Sequence, residues 1–566
     1  MIDMLRPELL LHPQRVPATP LPASTLLLLR DRSEGGWEVL MTRRSDKASF
    51  AASMYVFPGG GIEAQDAQAD AALVRMRSEM DDTMRAAAVA AVRETFEEMG
   101  VLLAVHADGS PITQGEVDAL VRHAPLWPQL QAAGLQLSVD LLWQVGHFTA
   151  PPHLPKRFAV PFFVARMPEG QTPVPDNREQ FEAVWLEPQL ALAQHKAGQM
   201  AMMLPTVRTL SYLSGKKTTQ EILQAAAAGP LWAHAPRFAL QGDRERSVIE
   251  SDTAYGEVLM VCPDGQIAHR IDWQHVQPVA LRKHILRLTA ANPGVMTGPG
   301  TNSYLVGDAQ TGYIAIDPGP DDAEHVQRLL DAAGGDIRHI VCTHSHPDHS
   351  PGAWVLQQLC VEQGRPRPLI HGVPSAPTAD ARSHFVPDVV LQDGEQLVVE
   401  LQGSDGKKTL NHRHTLQVIY TPGHAANHIC LLLQEDALLF TGDHVLNGST
   451  TIVVTPDGNM VDYMNSLDRL AQVCEAQGVE FLLPAHGHVL HQAPSVIAGL
   501  KAHRLAREAK IIAAMQQQPQ GSVSDWVALA YADTPQALWP LAERSLIAHV
   551  ERIRALGLAH VIEHQT

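Results

Sequence analysis

Cysteine is scarce in this chain. Its five residues, Cys262, Cys342, Cys360, Cys430 and Cys474, are odd in number and widely spaced. That excludes a disulfide framework and a zinc-finger spacing, and a reducing, cytoplasmic setting is expected. Long apolar runs are also missing. No segment approaches the roughly twenty residues of a membrane helix, and the opening Met1-Ile2-Asp3-Met4-Leu5-Arg6 lacks the basic end and apolar core of a signal peptide. No membrane partner is expected. Positive charge is in deficit: 43 Lys and Arg stand against 61 Asp and Glu, a formal net charge of −18. A global basic stripe for a phosphate backbone is thereby excluded, although a local patch is not. No G-x-G-x-x-G turn is present, which argues against a nicotinamide enzyme. What remains is ordinary for folded, soluble protein, with 45% apolar and 18% charged residues. A chain of 566 residues has room for about three to four domains.

Histidine is where the chemistry gathers. Thr343-His344-Ser345-His346-Pro347-Asp348-His349 follows the apolar run Ile340-Val341-Cys342, a probable strand by pattern. Four metal-ligand side chains within six residues, at a strand end, can face two neighbouring cations. Three further candidates each follow an apolar strand: His424 in Thr421-Pro422-Gly423-His424, Asp443 in Thr441-Gly442-Asp443-His444, and His486 in Pro484-Ala485-His486-Gly487. Nitrogen-rich ligands with a few carboxylates suit zinc and leave positions open for water. This order of motifs resembles the metallo-β-lactamase superfamily. The resemblance implies two Zn²⁺ ions, one held by His344, His346 and His424, the other by Asp348, His349 and His486, with Asp443 between them. It also implies that Asp348 orients the attacking water, and it gives Asp317, in Ile316-Asp317-Pro318-Gly319, a supporting role.

A second metal motif lies near the other end. Ala91-Val92-Arg93-Glu94-Thr95-Phe96-Glu97-Glu98-Met99-Gly100 reads as a helix ending at a glycine. Glu94, Glu97 and Glu98 are spaced i, i+3 and i+4, so they share a face. Such carboxylates attract Mg²⁺ or Mn²⁺, hard cations that bind through carboxylates and substrate phosphates. Upstream, Phe57-Pro58-Gly59-Gly60-Gly61 gives a tight turn. Together these resemble the Nudix box. Arg93 follows Gly60 by thirty-three positions where the compact box has fourteen, so about nineteen residues are inserted, and the middle glutamate of the box has no obvious equivalent. This interruption resembles the Nudt19-like coenzyme A diphosphatases. The resemblance implies Mg²⁺-dependent cleavage of a diphosphate, with Glu94 or Glu98 helping to activate water and Arg93 bracing the helix. The inserted stretch 63–84, carrying Met76, Met80 and Met84, is expected to be helical, and Glu179 or Glu182 is a candidate for one more ligand.

The tail holds a basic amphipathic helix from Ile497 to Ile512, two more helical stretches, and Gly557 before a short apolar strand. This reads as a winged-helix module. With Asn292-Pro293-Gly294, Gly300-Thr301-Asn302-Ser303-Tyr304 and Asp462-Tyr463-Met464-Asn465, it resembles the LACTB2-like hydrolases, some of which are single-strand endoribonucleases. The expected fold class is therefore multi-domain α/β. A Nudix α/β/α fold is expected over 18–235, a connecting segment over 236–280, a metallo-β-lactamase αββα sandwich over 281–495 and a winged helix over 496–566. The expected function is a two-module metal-dependent hydrolase. Its expected partners are a small-molecule substrate, such as a coenzyme A derivative or nucleotide, with RNA and a second copy of the chain as further candidates. The alternatives are an endoribonuclease with a non-catalytic Nudix domain, or a nucleic-acid-binding regulator. Lys501, Arg504, Arg507 and Lys510 are the candidates for a local RNA patch.

Overall fold

The computed structural model describes residues 6–48, 51–401 and 412–558. They divide into two compact units, Pro17–Pro236, and Arg237–Thr566 together with the N-terminal arm through Val16.

The first unit is built on a mixed sheet. Its central strand, Leu21–Asp31, pairs antiparallel with Trp37–Arg44 and parallel with Phe158–Arg166. Leu26, Leu27, Leu28 and Leu29 are all fully buried, because both faces of this strand are covered. On one face the helix Asp82–Met99 brings Ala88, Ala91, Val92 and Phe96 against Leu26 and Leu28. The opposite face, with Leu27 and Leu29, packs against Leu210, Leu213 and Ile222 of two later helices. The alanine-rich face of Asp82–Met99 lets its backbone approach the sheet. Asp81 caps its start by accepting a bond from the Met84 N–H, and Gly100 ends it at φ 65°.

The stretch 63–84 is not the expected helix. It contains one turn of helix (Ala64–Ala67), a 3₁₀ turn (Ala71–Leu73) and a two-residue strand (Val74–Arg75). Asp70 spends its carboxylate on the Ala72 N–H of the 3₁₀ turn, and Asp81 caps the start of the separate helix Asp82–Met99. Such local capping competes with a continuous helix, and the even spacing of the methionines has no helical meaning here.

The second unit is a four-layer sandwich. One sheet runs from Val279–Arg282 to Val389–Val390 in seven strands, the other from Gln396–Glu400 to Leu490–His491 in six. Between them lie Tyr304, Ile314, Ile316, Leu416, Ile429 and Phe440. Helices Ala323–Ala332 and Gly352–Glu362 cover the outside of the first sheet. Met460–Gln477 and Ala493–Gln517 cover the outside of the second. The expected αββα architecture is present. Residues 236–280, expected as a connecting segment, form a small sheet and a helix, Tyr255–Val261, whose Val258 and Met260 join the same core. Helices Val523–Ala530 and Trp539–Ala555 complete the tail. The apolar strand expected after Gly557 lies outside the described residues.

Candidate functional site

In the second unit, strand ends on one edge of the sandwich deliver seven ligand side chains to one place. Two groups of ligand atoms lie within 4.8 Å of one another: His344, His346, His424 and Asp443, and Asp348, His349 and His486. In the first group, His346 Nδ1 lies 3.0 Å from His344 Nε2 and 2.9 Å from His424 Nε2. The Asp443 carboxylate spans both groups. Its Oδ2 is 3.5 Å from His424 Nε2, and its Oδ1 is 3.2 Å from His486 Nε2 and 3.4 Å from His349 Nε2. Asp348 Oδ2 lies 3.2 Å from His349 Nε2 and 3.3 Å from His486 Nε2.

The hydrogen bonds behind these rings fix which nitrogens are bare. His424 Nδ1 donates to the Ile452 carbonyl at 2.7 Å and His486 Nδ1 to the Gly300 carbonyl at 3.2 Å. Asp317, held at φ 47°, accepts from Thr343 N, Thr343 Oγ1 and His349 Nδ1. Thr343 Oγ1 thereby spends its proton on Asp317, so it accepts from His344 Nδ1 at 3.0 Å. Nε2 of His344, His349, His424 and His486 is left free of these outer bonds and aimed inward, the arrangement that carboxylate and carbonyl partners give to metal-binding imidazoles. His349 Nε2 and Asp443 Oδ1 are buried and have no hydrogen-bond partner. Orphaned acceptors of this kind fit a cation.

Electrostatics agrees with two different halves. Burial, reinforced by neighbouring imidazoles, lowers His344 well below the ordinary imidazole range and His346 to about 3. Burial also lowers His424. These are neutral ligands. Burial would also lower His349 and His486, but Asp348 and Asp443 raise His349 well above its ordinary range and His486 to about 10. Burial would raise both carboxylates, yet the facing imidazoles hold them well below the usual range. The second half thus demands positive charge at its centre, and a divalent cation supplies it.

Further residues hold this frame. Asn302 Nδ2 donates to the Pro484 and Gly487 carbonyls, fixing the loop that carries His486. His428 Nε2 accepts from the Asp443 N–H at 3.1 Å. Thr301 Oγ1 donates to Asp348 Oδ2 at 3.2 Å. Glu257, fully buried, pairs with Arg287 and with His488 at 3.1 Å, two residues from His486. Glu257 escapes sequence reasoning because it is a lone polar residue in an otherwise apolar stretch, and His428 because it belongs to none of the ligand motifs. A cleft of about 390 Å³ opens over the ligands, lined among others by Met296, Arg382, Asp457 and Arg544.

In the first unit the glycine turn meets the glutamate helix as expected. Gly59 N–H donates to Glu98 at 3.0 Å, and Gln180 Nε2 donates to its other oxygen at 2.8 Å. A Cβ on Gly60 would stand 2.4 Å from the Glu94 carboxyl carbon. Glu94, Glu97 and Glu98 share a face but do not gather into a group of ligand atoms within 4.8 Å. Arg93 divides them, reaching Glu94 at 2.9 Å and Glu97 at 3.5 Å, while Glu98 turns to Gly59 and Gln180. Burial raises Glu94 to about 7, against the pull of Arg93, and Glu98 to about 8.

Arg93 also makes a bidentate pair with buried Asp66, both bonds 2.9 Å. Asp66 lies six positions after Gly60, before the inserted residues, and is the carboxylate partner that sequence reasoning missed. An aspartate stands where a glutamate was sought, and the insertion hid the register. Of the two further candidates, Glu182 is taken up by Arg43 and the Tyr55 hydroxyl, and Glu179 is exposed.

The four basic residues expected as a local RNA patch each have an internal partner. Lys501 pairs with Asp468, Arg504 donates to the Thr451 carbonyl, and Arg507 and Lys510 both pair with Asp533.

Residues 296–486 match the metallo-beta-lactamase superfamily model, and residues 522–564 match the beta-lactamase associated winged helix domain. The Beta-lactamase-like protein 2 homolog of Caenorhabditis elegans is 30% identical over 47% of this chain and 82% of its own length. The lactamase-like protein adaB of Aspergillus niger is 32% identical over 41% of this chain, and Thioesterase pkgB of Emericella nidulans is 33% identical over 40%. The chain spans only 64% and 58% of the lengths of these two fungal proteins. A crystal structure of a NUDIX hydrolase from Alicyclobacillus acidocaldarius aligns with 36% of this chain and 96% of its own, at 29% identity and a TM-score of 0.33. No helix among the described residues is long and apolar enough to cross a membrane. On these matches the chain belongs to the metallo-beta-lactamase superfamily and carries the associated winged helix.

Proposed function

We propose that the second unit is a binuclear zinc hydrolase acting on a small-molecule ester or thioester, and that the first unit hydrolyses a diphosphate with Mg²⁺ or Mn²⁺. The observation that carries the zinc reading is the set of inward-facing Nε2 atoms around the two-sided Asp443 carboxylate. His344, His346 and His424 would hold one ion, Asp348, His349 and His486 the other, and Asp443 both. When bound, such ions lower the pKa of a coordinated water and polarise the scissile carbonyl. Both ligand carboxylates line the cleft, and Asp348 is the more exposed of the two, so it is placed to orient the attacking water. Asp317 and the Ile452 and Gly300 carbonyls keep the imidazoles in the correct tautomer.

A thioester or ester ranks above RNA for two reasons. The tail's basic residues are committed to internal partners, and one relative of this half is named a thioesterase. In the first unit, Glu98 is held on both oxygens and suits an anchoring ligand, while half-open Glu94 suits water activation. Coenzyme A or an acyl-coenzyme A is the leading substrate there. A side-by-side assay of acyl-coenzyme A thioesters and labelled single-stranded RNA tests the zinc half. Zinc-dependent thioester hydrolysis that vanishes in Asp443→Ala is expected. RNA cleavage with thioesters untouched would overturn the reading. For the first unit, Mg²⁺-dependent cleavage of coenzyme A esters, NADH or ADP-ribose is expected. No turnover of any, with Glu97→Gln indistinguishable from wild type, would mean a non-catalytic domain.

A further inference from the structure

Arg544 sits on the helix Trp539–Ala555, in the tail module, yet it lines the cleft over the metal ligands. The inward side of that helix is firmly seated. Ala542, Leu546, Val550 and Ile553 pack into the tail core, and Ala548 joins the cluster around Tyr463 and Leu467. Arg544 is thereby presented on the exposed side of a fixed helix. Among the cations of the described tail, Arg544 is the one that lines the cleft. Lys501, Arg504, Arg507, Lys510 and Arg552 each have an internal partner, whereas Arg544 has no hydrogen bond or ion pair among the described residues.

The cleft-lining carboxylates outside the ligand set are otherwise engaged. Asp380 pairs with Arg382 at 3.1 Å, and Asp457 accepts from Thr378 Oγ1 at 3.2 Å. Two divalent ions on the seven ligands would leave the floor of the cleft net positive, since Asp348 and Asp443 supply only two negative charges. A free guanidinium facing such a floor is unfavourable unless an anion enters between them. Apolar side chains of Met296, Ile452 and Val454 line the same cleft, so the occupant has an apolar portion as well.

We propose that Arg544 is a substrate-binding residue through which the winged-helix module completes the hydrolase cleft. Its ligand is the anionic group, a phosphate or carboxylate, of an acyl thioester whose scissile carbonyl lies over the metals. The module then acts as part of the active site, through a planar, always-charged donor fork suited to phosphate and carboxylate. This rests on the (thio)esterase reading above, and the test separates the two.

The zinc-loaded full chain is assayed without magnesium, to keep the first unit idle. Acetyl-coenzyme A is compared with S-acetyl-N-acetylcysteamine, which has the same reacting bond and no charge. Arg544→Ala should raise KM for acetyl-coenzyme A by about tenfold or more, with kcat little changed and zinc content unaltered. KM for the uncharged thioester should stay within about twofold of wild type, and Arg544→Lys should recover part of the loss. Equal effects on both substrates, or no effect on either, would overturn the role of Arg544 while leaving the thioesterase reading intact. If the wild type turns over neither thioester, the thioesterase reading fails. Acetyl-coenzyme A binding measured by calorimetry then decides Arg544: equal affinity of wild type and Arg544→Ala refutes it, and weaker binding by the variant supports it.

Discussion

The two candidate sites solve the same problem, holding cations beside a scissile bond, in opposite ways. The histidine site is assembled before any ion arrives. Its ligands come from separate strand ends, and the hydrogen bonds behind His344, His349, His424 and His486 fix four of the five imidazoles. The glutamate site is a single helix face whose carboxylates are held apart by Arg93 and kept partly protonated by burial. Neutral nitrogen ligands can be packed together without mutual repulsion. Three carboxylates cannot, and need either an arginine or a cation among them. Pre-organisation is thus available to a zinc site and denied to a magnesium site.

The largest expected effect breaks the first half of this contrast. Asp443→Ala removes the carboxylate shared by both groups. It should lower hydrolase activity by more than about 100-fold, beyond the 10- to 100-fold cost of losing an outer partner. Activity within a few fold of wild type would show that the two groups act independently.

Arg93→Ala tests the arginine that divides the glutamates. It strands Asp66, buried and unpaired, and should cost about 3–5 kcal/mol, read as a shifted denaturation midpoint of the first unit. Asp317→Asn leaves the metal ligands in place but weakens the orientation of Thr343 and His349. A loss of about 10- to 100-fold in zinc affinity is expected, measured by competition with a chelator.

The smallest effect concerns pH. Folded Glu94 and Glu98 hold their protons to about 7 and 8, above the ordinary value of 4.5. Between those limits the folded state binds more protons than the unfolded one, so the first unit should lose stability as pH rises from about 4.5 to 8. Mg²⁺ should reverse that loss, and its affinity should rise with pH over the same window because binding expels the protons. A stability curve flat in pH with or without Mg²⁺ would contradict the carboxylate half of the comparison.

Much of this was legible in the sequence, and unevenly. The seven histidine-site ligands could be read because each sits directly after an apolar strand, so local pattern and position in the fold coincide. The sandwich followed from the same strands. Asp66 was hidden by an Asp in place of a Glu and by the insertion behind it. The stretch 63–84 misled because three methionines four residues apart imitate a helix face, whereas Asp70 caps a short turn there and Asp81 starts a separate helix at Asp82. Glu257 and residues 237–280 carry no motif at all. Their importance lies in burial and in long-range pairing with Arg287 and His488, which no local pattern encodes. The basic run from Lys501 to Lys510 looked like a surface for phosphates because its partners, Asp468, Thr451 and Asp533, are distant in sequence.

The central claim is that the histidine site binds two ions through one shared carboxylate, and metal stoichiometry tests it most directly. Full-length protein reconstituted with zinc and freed of excess metal should retain two zinc per chain at the histidine site, and Asp443→Ala at most one. Wild-type protein that holds no transition metal after reconstitution would contradict the account.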